Sequence, residues 1–193
     1  MGYVVERPGV YLSRVAEGPG EDHSLGERLV PDLARVHVEG WRQAYGSLLP
    51  ERFYDDDARA ARVRMWTALL ADEQAQDRVR IATTGTGDTA PGTGDAVTGP
   101  DDVVGFSIHG PARDDDRHGI ELFALYILEE HYGRGVGQRL LDEAIGSEPA
   151  CLWVAAENHR AIRFYEKNGF QPDGTRKSDP DIDGLEEIRM ARG

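Results

Sequence analysis

From Tyr126 to Gly146 the chain reads YILEEHYGRGVGQRLLDEAIG. Gly133, Gly135 and Gly137 stand at every second position, between a strand-like apolar run and a helix-like one. A strand handed over to an amphipathic helix through alternate glycines confines the chain to mixed α/β arrangements. It also builds a particular concavity. Glycines let successive backbone N–H groups point to one side, and a helix start adds unpaired donors and the positive end of its dipole. Such a spot suits a pyrophosphate, with Arg134 and Arg139 able to add charge; a glycine-rich turn that holds no ligand has the same sequence. Two familiar phosphate cradles do not fit. No Lys-[Ser/Thr] pair follows as a Walker loop requires, and Gln138 stands where a dinucleotide turn needs its last glycine.

Around this junction the chain alternates between the two periodicities. GVYLSRVAEG reads as a first strand. A helical period starts at Leu29, passes through Leu33, Val36, Trp41 and Ala44, and ends near Gly46 and Pro50. ARAARVRMWTALLADEQ predicts a second helix and RVRIATT a strand. Thr83 to Pro100 is a Gly/Thr/Asp stretch without apolar period, read as a flexible hairpin loop over 83–100 across which DDVVGFSIHGP pairs back. IELFALYILEE is a further strand, and the glycines lead into the helix VGQRLLDEAIG. PACLWVAAE has the continuous apolar character of a strand buried on both faces. NHRAIRFYEKNGF predicts a helix capped by Asn158 and stopped at Gly169, and GTRKS with LEEIRMAR a closing hairpin. The order is mixed α/β with one parallel crossover, in one domain over 1–193.

Composition narrows the function. A formal net charge of −13 argues against nucleic acid, whose binding draws on Lys and Arg. No run of about 18 apolar residues predicts a membrane span, and the N-terminal stretch lacks a secretory apolar segment, so the expected compartment is cytoplasmic. Cys151 is the one cysteine, which excludes an intramolecular disulfide and thiolate-rich zinc. Within ACLWVAA it reads as a core residue, and no His/Cys/Asp spacing predicts a metal. The acidic runs Asp55–Asp57 and Asp114–Asp116 read as solvated loops.

Two motifs in order carry a family resemblance. LYILEE with YGRGVG and its helix, then NHRAIRFYEKNGF after one more strand, resemble the GNAT superfamily of acyl-CoA-dependent N-acetyltransferases. ARVHVEGWRQAYGSLLPERF is similar to that family's first helical region. Tyr132 departs from it, standing where the family has Gln or Arg, and Glu129 or Glu130 replaces its proline. The resemblance implies a GNAT-like α/β fold: a central, mostly antiparallel sheet of about six to seven strands with one splayed parallel pair, flanked by about four helices. It implies acetyl-CoA as cosubstrate and no metal. It also implies that the backbone of Leu125, Tyr126 and Ile127 holds the pantetheine arm, with an N–H near Ile127 polarising the thioester carbonyl. The N–H groups of Gly133, Arg134, Gly135, Val136, Gly137 and Gln138 would take the pyrophosphate. Tyr165 would protonate the departing thiolate, and Asn158 would cap its helix or hold a pantetheine amide.

The attacking amine must be neutral, so a base or a water relay is useful. Glu121 is the candidate: strand parity groups it with Phe123, Leu125 and Ile127 unless a bulge intervenes. His118 and His109 are rivals. His37, Glu39, Trp41 and Tyr45 lie on the helical region that the resemblance places beside the acceptor. The resulting expectation is an N-acetyltransferase acting on a small-molecule or peptide amine in a ternary complex. A non-catalytic acyl-CoA-binding module and a nucleotide-binding protein are the competing classes. Dimers are common in the family, which makes a homodimer a further expectation.

Overall fold

In the computed structural model, which describes residues 9–14, 23–85 and 103–193 with side chains from 28 to 84 and from 103 onward, the alternating stretches become strands and the 3.6-period stretches helices. β1 (Gly9–Arg14) precedes α1 (His23–Tyr45), α2 (Asp56–Leu70) and a single turn, α3 (Glu73–Gln76). β2 (Val79–Gly85), β3 (Val103–Pro111) and β4 (Ile120–Ile127) follow, then α4 (Val136–Ile145), β5 (Ala150–Ala155), α5 (His159–Lys167), β6 (Gln171–Asp179) and β7 (Leu185–Arg192). The seven strands form one sheet in the order β1-β2-β3-β4-β5-β7-β6. Every neighbouring pair is antiparallel except β4 and β5.

Three local differences from the sequence reading have physical causes. α1 begins at His23, before the apolar period at Leu29, because its first turns are polar and carry no periodic signal. Thr83, Thr84 and Gly85 belong to β2 and pair with β1; the rest of 83–100 lies outside the described residues. The acidic runs also do more than meet solvent. Asp55 caps α2 by accepting from the Ala58 N–H at 2.9 Å, a contact worth about 1 kcal/mol. Asp114 and Asp116 both grip the Arg189 guanidinium, as does Asp173.

The sheet is covered on both faces. On one, α1 and α2 bury Leu33, Val36 and Trp66 against Val79, Ile81 and Phe106. Trp66 meets Phe106 edge-on at 4.8 Å between ring centres, the orientation that aromatic quadrupoles favour. On the other face α4 and α5 pack Leu141, Ile145 and Tyr165, joined by Phe170 from the turn after α5, against Leu122, Leu152, Val154 and Met190. Full burial of each large apolar side chain stabilises by about 1.5–3 kcal/mol, so both layers pin the central strands firmly.

Candidate active site

The parallel pair creates the site by stopping early. β4 and β5 are in register at three rungs only, Ile120 with Ala150, Glu121 with Cys151 and Leu122 with Leu152. Beyond them β4 runs on to Ile127 and β5 to Ala155 without pairing to each other, and a cleft of about 370 Å³ opens there. The Leu128 N–H donates to the Val104 carbonyl at 2.9 Å. By the alternation of a strand, the backbone groups of Ile127 and Leu125 are therefore turned away from β3 and toward the gap. The expected backbone donors thus line the cleft, together with Tyr126.

One end of the cleft is the glycine turn. Gly133 has φ +72° and Gly135 φ +80°, a left-handed backbone that side chains disfavour, and Gly135 is also the N-cap of α4. Gly137 is small for a different reason: a Cβ there would stand 3.0 Å from Ile127 Cδ1, so it lets α4 close onto β4. Gly133, Gly135, Val136, Gly137 and Gln138 all line the cleft, whereas Arg134 is exposed and outside the lining. Asn158 lines it too, while its side chain caps α5 by accepting from the Ala161 N–H at 3.1 Å. A second helix N-terminus thereby opens onto the same space.

Tyr165 is 8% exposed and lines the cleft from α5. Burial, and then the neighbouring Tyr45 phenol, push its hydroxyl well above the ordinary phenol range. From the opposite face α1 contributes Gly40, Ala44 and Tyr45. Tyr45 and Tyr126 bring their hydroxyls to 3.3 Å, and Tyr126 stacks on His37 with ring centres 5.5 Å apart. His37 itself is buried, and desolvation, aided by Arg62, lowers its pKa to about 3. It supports the wall and does not line the cleft.

Glu121 is where the sequence reading fails. The register between β3 and β4 shifts after Ile108, which pairs with Ala124, while His109 pairs with Leu122. Phe123 is thus an extra, bulged residue, and parity inverts across it. Leu122 and Leu125 consequently share the α4 face, and Glu121 is on the other one. Its side chain is 1% exposed and is held by the Arg113 guanidinium at 2.5 Å and the Arg113 N–H at 3.0 Å. It is absent from the cleft lining, as are His109 and His118. Cys151 is buried and absent from it as well.

The sequence reading missed Trp153, His131 and Arg160, which all line the cleft. Arg160 stacks on Tyr132, its guanidinium carbon 3.9 Å from the ring centre. Arg160 stands two residues after the Asn158 cap, and no local pattern in the sequence marked it out. Among the described residues the lining contains no Asp or Glu at all, in a chain with 35 of them. Nor does any group of three or more His, Cys, Asp or Glu among those residues have the arrangement to hold a metal. No described helix is long and apolar enough to cross a membrane.

Comparison with known proteins finds relatives in sequence and in fold. Residues 95–172 match the family model of the acetyltransferase (GNAT) domain. The chain is similar to a probable N-acetyltransferase of Mycobacterium tuberculosis, Rv2775, at 40% identity over 37% of this chain and 42% of that protein. The chain thus spans under half the length of that curated relative. Similarity to an uncharacterized N-acetyltransferase of Bacillus subtilis, YuaI, is lower, at 24%, but reaches over 81% of this chain and 82% of the relative. Among solved structures, the PaiA N-acetyltransferase of Thermoplasma acidophilum in complex with coenzyme A shares the fold. Its TM-score is 0.63 at 17% identity, covering 95% of this chain and 98% of that one.

Proposed function

We propose that this chain, a member of the GNAT superfamily, is an N-acetyltransferase that moves an acetyl group from acetyl-CoA to a primary amine, and we take its 193 residues as one domain. The observation that carries the reading is a cleft free of carboxylates among the described residues, in a chain of net charge −13. An elongated anion with an apolar arm fits such a space. The left-handed glycines and the first N–H groups of α4 suit its pyrophosphate. The apolar walls Leu125, Ile127 and Phe164 suit its arm.

Acetyl-CoA supplies the activated thioester. The chain's own part is positioning, donation and exclusion of water. Backbone N–H groups turned into the gap at Leu125 and Ile127 are fixed donors for the oxyanion that develops during attack. Tyr165 donates its phenolic proton toward the leaving sulfur. Burial, and then the Tyr45 phenol, raise its pKa, so the hydroxyl is fully protonated and available as a donor at neutral pH. The amine would approach from the α1 face, past Tyr45, Tyr126 and Trp153, form its C–N bond as the C–S bond breaks, and lose its proton to water, while Tyr165 would recover its own proton from solvent. Attack is direct, because Cys151 is outside the lining and desolvation raises its thiol pKa.

A thermal-shift titration with acetyl-CoA, CoA, ATP and NAD tests the reading. A ligand at about 100 times its Kd adds about 2.7 kcal/mol, a rise of roughly 5–10 °C for a chain of this size. The reading expects it from the two CoA species alone, followed by turnover in an amine screen. A shift by ATP or NAD with none by CoA species would overturn it.

A further inference from the structure

We propose that Arg160, borne on α5 and braced against Tyr132, is the side-chain cation that clamps the pyrophosphate of the CoA cosubstrate. The inference rests on the acetyl-CoA reading above and adds to it a residue from a different element. Among the described residues Arg160 is the one arginine in the cleft lining. Other arginines are engaged by carboxylates, as Arg42 is by Glu51, Arg52 by Asp183, Arg113 by Glu121 and Arg117 by Asp173. No carboxylate among the described residues forms a salt bridge with Arg160, although the chain carries 35 acids.

Its placement is specific. Arg160 is in the first turn of α5, two residues after the Asn158 cap. Tyr132 directly precedes the glycine turn and has its hinge at Gly133. The stack at 3.9 Å therefore bridges the two helix N-termini that open onto the cleft. A guanidinium seated over a ring has lost part of its rotamer freedom, and its five N–H donors can match a pair of phosphate oxygens. The backbone of the turn and this side chain thus face the same anion from two sides. Tyr132 acts through Arg160 as a positioning residue.

Isothermal titration of CoA and dephospho-CoA into the full chain and three variants tests the assignment. Arg160→Ala is expected to weaken CoA by about tenfold to a hundredfold, the worth of a charge-assisted hydrogen bond or two. The same loss is expected with dephospho-CoA, since the pyrophosphate is common to both. Arg160→Lys is expected to recover part of it, because charge is kept and the forked guanidinium over the Tyr132 ring is lost. Adding Tyr132→Arg to Arg160→Ala returns a guanidinium to the same space and is expected to restore most of the affinity. Arg160 is exposed, and unchanged melting of the unliganded variants is the check on folding. Wild-type affinity in Arg160→Ala overturns the proposal, and so does a loss confined to CoA, which would assign the contact to the 3′-phosphate. Failure of the wild-type chain to bind CoA overturns the acetyltransferase reading instead, a separate outcome.

Discussion

Tyr45 and Tyr126 hold their hydroxyls 3.3 Å apart where α1 crosses the open end of the β4–β5 gap. Tyr165 reaches toward the same space from the opposite face of the sheet, near enough for the Tyr45 phenol to raise its pKa. Three phenols and no carboxylate among the described residues therefore surround the point where the strands part. The predictions below follow from that arrangement and from its supports.

Tyr165→Phe removes the hydroxyl and keeps the ring that packs with Phe164 and Phe170. The acetyl-transfer rate is expected to fall by about a hundredfold or more, the worth of a positioned acid. CoA affinity is expected to stay within about twofold. Steady-state turnover with calorimetric Kd values checks both, and an equal loss of rate and affinity would mean that Tyr165 only shapes the cleft.

The pH profile should lack a carboxylate limb. With no Asp or Glu in the described lining, kcat/KM is expected to climb with pH as the free amine fraction grows, until the acceptor's own pKa is passed. Tyr165 is raised above its ordinary value of 10.0, so it stays protonated across this range and imposes no descending limb below about pH 10. A profile that levels off near pH 4–5 regardless of acceptor would point to a carboxylate base.

Arg113→Ala leaves the Glu121 carboxylate, 1% exposed, with only the backbone N–H of residue 113 as partner. Removing one member of a buried pair is expensive. Because the Arg113 side chain is 62% exposed, a loss of about 2–4 kcal/mol is expected. Urea unfolding measures it. Activity per folded molecule should be little changed, which separates the structural role of Glu121 from a catalytic one.

His37 makes folding acid-sensitive. Its folded pKa, lowered to about 3 chiefly by burial, lies below the unfolded value of 6.5, so the unfolded chain binds the extra proton. The stability it contributes is complete above pH 6.5 and is lost progressively as pH falls toward 3, at up to about 1.4 kcal/mol per pH unit. His37→Phe keeps an aromatic ring against Tyr126 and Phe106 and removes the titration. Urea midpoints measured from pH 7 down to 4 should therefore fall less steeply in the variant.

The parts of this molecule that could be read from the sequence are those governed by local period. The β4–turn–α4 unit is legible because an apolar strand, left-handed glycines and an amphipathic helix each leave a signature within a few residues. Asn158 and Tyr165 are legible because a cap and a helical face fix them on α5. Glu121 was misassigned because the bulge at Phe123 inverts parity, and a single extra residue has no compositional mark. Asp114 and Asp116 looked like a solvated run because their partner, Arg189, is more than 70 residues away. Arg160 escaped notice for the same reason. Its meaning depends on Tyr132, which reaches it only when α5 packs beside the glycine turn.

The three-rung ladder between β4 and β5 acts as a vertex. The space of the cleft is an angle set by where two backbones cease to zip, and the zipped end is anchored in the core. Side chains on the walls can then be exchanged without altering that angle. The α1 wall is free to vary while the opening itself stays put. Conversely, a change that extends the ladder past Leu122 and Leu152 would close the cleft without replacing any residue of its lining.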